Sequence, residues 1–480
     1  MHPCAVFAAL LAFLVALFVP ILYPYIRLQL EREFKPRDLV IGVLSARGNF
    51  EQRQMLRETM IKHVKSTTKL SHSISIKFVI GDQACPYPIE DRVDEYACEH
   101  WHVGLQVNRD EIFAQNVQLE EKENNSHSYQ YKNHVLLKVH HPIILTRLGI
   151  LEELLVNPSD LTVQLWDTTQ EVEIVSSKFL SGLGQGESQG GYRYRPVESY
   201  VLPKGFEASV RLENSTSFFR QPQNEVNILS DDGGGVITLS KAKNGVFGNQ
   251  SMLPAVSFAF RIHDAQILEN HISNKAARNA KWREEVEKEV ERLKNESLTH
   301  RDIVFVPKVD VYRNLPAKLL AFYQWVGRHD EFTFALKTDD DCFLDVDAIL
   351  HKLKSVITKS NIWWGRFRYY WSLDTTGKWR ETKYEAATYP PFACGSGYVV
   401  SGDVVQWLAK NAEYLTHYQG EDVSMGIWLA AVHPDKIDDD LWLCEKKCGP
   451  GSLSLPELSL YELNRTWQNK MKCGNPCGCV

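Results

Sequence analysis

What the sequence has little of narrows it before any motif is read. There is no excess of positive charge: 54 Lys and Arg stand against 60 Asp and Glu, a balance of −6, so the chain carries no electrostatic footprint for nucleic acid. No internal repeat and no long low-complexity tract occurs, which sets aside repeat architectures. Zinc spacing is missing too: Cys444 and Cys448, then Cys473, Cys477 and Cys479, form no repeated Cys-x-x-Cys pair and have no matching His pair. Long hydrophobic runs are limited to one. Residues 4–26, CAVFAALLAFLVALFVPILYPYI, carry no charge and as a helix could cross a hydrocarbon core of about 30 Å. The run lacks a small-x-small cleavage site at its end, so an uncleaved membrane anchor is expected over residues 1–26 rather than a signal peptide.

The rest is ordinary globular composition, 24% charged and 44% apolar. One hydrophobic core seldom grows past about 250–300 residues, so a chain of 480 is expected to hold two folded units besides the anchor. Its orientation is pulled two ways. Arg27, Arg32, Lys35 and Arg37 follow the span and by the positive-inside rule would stay cytoplasmic. Glycosylation acceptor patterns at Asn124, Asn214, Asn249, Asn295 and Asn464, with cysteines crowded into the last third, favour a lumenal body. In that setting the tail thiols are expected to form disulfides. Of ten cysteines, setting Cys4 aside leaves an odd number, so one thiol stays unpaired or bonds between chains.

Residues 27–37 suit a short stem. From 38 to 100 a buried strand (DLVIGVLSA), a helical pattern (FEQRQMLRETMIKHV) and a second strand (SISIKFVIGD) open a parallel α/β sheet. Between 101 and 262 the texture changes to alternating strands such as LTVQLWD and VEIVSSKFL, broken by Gly, Pro and Asp-Asp-Gly-Gly-Gly turns. This predicts an inserted, mainly antiparallel β domain, for which an appendage and a lectin-like module are both open readings. Residues 263–480 resume the α/β pattern. A charged helix over 263–298, with Ile267, Ile272, Trp282, Val286, Val290 and Leu293 as a loose apolar stripe, reads as a solvated face. The strand DIVFVPKVD, the helix LPAKLLAFYQWV and the strand–loop–helix FTFALKTDDDCFLDVDAILHKL follow it.

The acidic run Asp339-Asp340-Asp341 falls where the buried strand FTFALK gives way to a loop, the end at which open α/β sheets place their ligands. Adjacent carboxylates repel one another unless solvated or neutralised, and hard oxygen ligands suit Mg²⁺ or Mn²⁺ bound with substrate phosphates. Asp339 and Asp341, as alternate residues, can point to one side. A plain solvated turn is the competing reading.

Taken in order, RGNFEQRQMLRET, FVIG, DIVFVPKVDVYRNLPAK, LKTDDDCF, TGKW, YPPFACGSGYVVS and GEDVSMG resemble the β-1,3-glycosyltransferases of glycosyltransferase family 31. They cover residues 38–98 and about 300–430, and as a set they are highly specific. The resemblance implies a GT-A-like nucleotide-sugar domain, Mn²⁺ (Mg²⁺ as an alternative) and, nearest to the N-acetylgalactosaminyl branch, UDP-GalNAc as donor. The implied acceptor is a terminal GlcNAc on a glycoprotein, met in the Golgi or endoplasmic reticulum lumen. UDP-GlcNAc or UDP-Gal donors, and a sugar-binding scaffold without turnover, are the alternatives.

Carried over residue by residue, the similarity makes Asp339 and Asp341 metal ligands, with Asp341 the more direct, places Asp340 and Lys337 of the same motif at the donor, and makes Asp422 the general base. Without the family, Glu421-Asp422 would read as an ordinary helix start. Gly395 and Gly397 would let backbone approach the sugar, or would simply form a turn. Trp364, and beside it Trp363, could stack on a sugar face or pack the core. Arg53 and Arg57, four apart on one helical face, could meet phosphate or uracil, or pair with carboxylates. Two departures stand out. Met60 replaces the family's usual Trp, and no clear metal-ligand His follows GEDV; His433, the nearest, comes too soon, leaving a third ligand unassigned.

Overall fold

A computed structural model describes residues 37–120, 129–156, 160–181, 186–213, 219–220, 225–239, 252–329, 331–355, 360–374, 377–381 and 383–479. The expected membrane anchor and stem residues up to 36 lie outside the described residues. Among the described residues, no helix is long and apolar enough to cross a membrane. The described residues fall into two compact units, one drawn from 37–85, 286–373 and 383–479, the other from 86–285 and 374–381.

The first unit is built on a seven-stranded sheet. Its strands are β1 (Arg37–Leu44), β2 (Ile74–Gln83), β3 (Ile303–Val309), β4 (Phe332–Asp339), β5 (Ile362–Arg368), β6 (Phe392–Ser401) and β7 (Asp435–Asp438), in the order β3-β2-β1-β4-β6-β5-β7. The first four in that order run parallel, and β6 is antiparallel to β4 and β5. The continuous apolar texture of DLVIGVL follows from burial on both faces. Leu39, Ile41 and Val43 enter one core cluster, while Val40 and Leu44 enter the other. Helices Val346–Ser355 and Leu460–Cys473 contribute to the first cluster, with Met60 from the Phe50–Ser66 segment. Helices Leu315–His329, Gly402–Lys410 and Glu421–Leu429 contribute to the second.

The second unit holds two five-stranded antiparallel sheets sharing a single core cluster. Tyr192–Leu202, Ile143–Leu151 and Val256–Ile262 are central in one, and His134–Val139, Glu207–Leu212 and Leu161–Asp167 in the other. This unit begins earlier and ends later than the inserted segment read over 101–262.

The charged stretch after residue 262 forms two helices, Ala265–Ser273 and Lys275–His300. Its expected apolar stripe is partly displaced: Leu268 is buried while Ile267 is exposed. Nor is its charge merely solvated. Glu289 pairs with Arg47 at 2.6 Å, and Glu296 takes Arg53 and Arg57 at 2.9 and 2.6 Å. Burial opposes the charge on Glu296, but the two guanidinium groups outweigh it and hold the carboxyl below its ordinary range. Glu296→Ala strands Arg53, which is fully buried, and is expected to cost about 3–5 kcal/mol of unfolding free energy, checked by denaturant titration.

Candidate active site

Every group of the candidate site lies in the first unit, at the carboxyl end of β4. On a strand, residues two apart share a face, so Lys337 and Asp339 point the same way and Lys337 Nζ donates to Asp339 Oδ2 at 3.0 Å. Asp340 turns to the other side. Its carboxylate accepts from Asn49 Nδ2 at 3.0 Å, tying the β1-to-helix loop to the acidic run, and burial pushes its carboxyl upward. Asp341 returns to the first side, where the Cys342 thiol donates to its Oδ1 at 3.4 Å.

Ligand atoms of Asp339, Asp341 and Cys342 lie within 4.8 Å of one another. Two partly open carboxylates at a loop provide the hard oxygen donors that Mn²⁺ or Mg²⁺ takes together with phosphates, so the residues fit such an ion. Burial, with the Asp341 and Asp339 charges, pushes the Cys342 thiol well up, so it stays protonated as a donor to Asp341. Cys342 is the free thiol that the odd count required, and the sequence reading missed its place beside the acidic loop. His433 is outside this group; its backbone N–H caps the Glu421–Leu429 helix through Leu429 O.

Asp422 stands in the first turn of the Glu421–Leu429 helix, its Oδ1 accepting from the Val423 N–H at 2.8 Å. Burial first, and then the charge of Glu421, pushes its carboxyl up to about 7, against the pull of Lys337. Glu421 turns inward and accepts from Lys337 Nζ at 2.6 Å. Lys337 also donates to Gly395 O, so one buried ammonium joins the acidic loop, β6 and the helix carrying Asp422.

Gly395 and Gly397 lie within β6, not in a turn. A Cβ at 395 would stand 2.9 Å from Glu421 Oε1 and 3.5 Å from both Asp422 Oδ2 and Lys337 Nζ, and one at 397 would stand 2.9 Å from the Trp442 ring. A side chain at 395 would displace the groups that make the site, and one at 397 would push on the buried Trp442 ring. The Cys394–Cys444 disulfide secures the same strand, closing a 50-residue span worth about 4 kcal/mol in chain entropy.

Three residues read as donor contacts are placed elsewhere. Arg53 is fully buried, forked onto Glu296 and donating also to Ser45 Oγ and two backbone carbonyls. Arg57 grips Asp302 with two bonds of 2.9 Å and Glu296 with a third. Both hold the frame behind the β1-to-helix loop, because carboxylates from the charged helix and its end claim their donors. Trp364, only 1% exposed, belongs to the core, edge-on to Trp442 and donating to Asp439 at 3.1 Å. Trp363 is buried likewise.

A mixed α/β sheet thus carries paired carboxylates at the end of β4 and a further carboxylate at a helix start, groups suited to a cation-assisted transfer reaction. The galactosyltransferase family pattern matches residues 282–440. The chain is 40% identical over 454 residues to UDP-GalNAc:beta-1,3-N-acetylgalactosaminyltransferase 2 of Xenopus tropicalis, covering 92% of this chain and 91% of that one. It is 38% identical to the Homo sapiens protein of the same name, over 92% and 89%. Mouse beta-1,3-galactosyltransferase 6 is 38% identical over a shorter stretch, 32% of this chain and 49% of its own. The chain belongs to this family of UDP-sugar-dependent β-1,3-glycosyltransferases.

Proposed function

We propose that this chain moves N-acetylgalactosamine from UDP-GalNAc, with inversion, in β-1,3 linkage onto a terminal GlcNAc of protein-linked glycans. The observation that carries the reading is the gathering of Asp422 and the Asp339–Asp341 loop around one buried ammonium, Lys337. Two of the relatives above bear that donor and that linkage in their names. In the step itself, Asp422 takes the proton of the acceptor 3-hydroxyl as its oxygen bonds to the anomeric carbon from the face opposite UDP. The bond from that carbon to the diphosphate breaks, and its electron pair leaves with UDP. Mn²⁺ or Mg²⁺ held by Asp339 and Asp341 would supply positive charge for the departing diphosphate. Transfer from a panel of UDP-sugars onto GlcNAc-terminated acceptors tests this. GalNAc transfer is expected; preference for UDP-GlcNAc or UDP-Gal would replace the donor, and sugar binding without turnover would replace the enzyme.

The same reading places the body in the Golgi or endoplasmic reticulum lumen, behind a single-pass anchor at residues 4–26. The disulfides Cys394–Cys444, Cys448–Cys477 and Cys473–Cys479 suit an oxidising compartment. Of the acceptor asparagines, Asn295 is exposed and Asn464 partly so, while Asn124, Asn214 and Asn249 lie outside the described residues. Glycosidase treatment is expected to increase the mobility of the expressed protein. Unchanged mobility, combined with cytosolic protease cutting beyond residue 40, would reverse the orientation.

A further inference from the structure

We propose that Lys337 is a positioning residue, a buried cation that fixes the acidic loop, β6 and the helix bearing Asp422 to one point and never touches the donor. The inference rests on the reading of Asp422 as the base. An ammonium has three protons to donate. All three of Lys337 are spent: on Asp339 Oδ2 at 3.0 Å, on Glu421 Oε1 at 2.6 Å and on Gly395 O. The side chain is fully buried, so no donor is left for a diphosphate and no surface for one to reach.

Each partner belongs to a different segment, the end of β4, the middle of β6 and the first turn of the Glu421–Leu429 helix. These segments are distant in sequence, and the hydrogen bonds of Lys337 span 58 and 84 residues. Glu421 is itself buried, and its carboxylate is held by Lys337. Asp422, which has no such lysine bond, is left as the carboxylate that can accept a proton. Orientation follows from the same contact. Anchoring Glu421 inward sets the rotation of the helix start, and with it the direction in which Asp422 projects beside Gly395. Gly395 leaves this cluster no spare room, since a methyl there would already crowd Glu421 Oε1.

Lys337→Met alone would leave Glu421 charged and buried without a partner, so the decisive variant is Lys337→Met combined with Glu421→Gln. The double variant removes the buried lysine together with its buried partner Glu421, and the carboxylate it leaves unpaired, Asp339, is partly open to solvent. The double variant is expected to fold, with kcat lowered about ten- to hundredfold, the loss that follows from misplacing a reacting group by about 1 Å. Donor KM, and UDP affinity measured by calorimetry on the full chain, are expected to stay within about threefold of the parent. Collapse of UDP affinity at unchanged kcat would make Lys337 a donor ligand and overturn the proposal. Unchanged kcat per folded molecule, with only a lowered Tm, would reduce it to packing and overturn it equally. Lys337→Met by itself serves as the second variant, with the same split between kcat and KM expected in the fraction that folds. Asp422→Asn assayed beside them separates the two claims: if it turns over normally the base assignment fails, whereas if it is inactive and the double variant is normal, only the role of Lys337 fails.

Discussion

Asp422→Asn is expected to lower turnover by roughly two to four powers of ten, the usual contribution of a positioned acid or base, while UDP and Mn²⁺ affinity change little. The substitution keeps the shape and the contact to the Val423 N–H, but removes the ability to accept a proton. If the carboxylate only capped its helix, the cost would be about 1 kcal/mol of stability with normal turnover per folded molecule. Turnover and UDP binding measured on one folded sample distinguish these results. A pH profile adds a second check. The working form of Asp422 is ionised, so kcat/KM must rise with pH through the carboxyl's titration and then level. Burial and Glu421 raise that titration to about 7 with no cation bound, and positive charge entering the site would lower it. The acid limb is therefore expected between the ordinary carboxylate range and about 7. It should vanish from the residual activity of the Asn variant. For stability the sign is opposite: a carboxyl raised in the folded state favours folding below its unfolded value, and that contribution is lost as pH climbs to about 7.

Asp341→Asn is expected to abolish transfer and leave the fold intact. Asp339 already shares its charge with Lys337, whereas no Lys or Arg among the described residues pairs with Asp341, leaving it the carboxylate open to a cation. Asp340→Asn should be milder, since that side chain faces Asn49 on the other side of the run. Thermal unfolding gives a readout independent of turnover. Mn²⁺ with UDP should raise the Tm of the parent and not of Asp341→Asn, because a ligand stabilises only the state that binds it. Burial raises the Asp339 carboxyl, with Glu421 and Asp341 adding to the rise and Lys337 opposing it, and a ligand must lose its proton to bind. The gain in Tm is therefore expected to be larger at about pH 7.5 than at about pH 5.5. Full Mn²⁺-dependent activity in Asp341→Asn would remove the central role of the acidic loop.

Much of this was written in the sequence because it depends on neighbours along the chain. Unbroken apolar runs such as DLVIGVL declared strands buried on both faces, the antiparallel region declared itself by alternation and turns, and Asp339 and Asp341 declared a shared side by being two apart on a strand end. What a charged side chain meets across the fold is not a local property. Arg53 and Arg57 have the spacing of a phosphate clamp, yet Glu296 and Asp302, more than 230 residues away, claim them. Trp364 has the chemistry of a sugar platform, yet the sheet turns it into the core. The place of Lys337 beneath Gly395 and Glu421 is likewise decided by tertiary structure. Sequence determines which groups are available and on which face of an element they stand; only the packing of segments far apart in the chain decides which charge neutralises which, and so which carboxylate stays free to act.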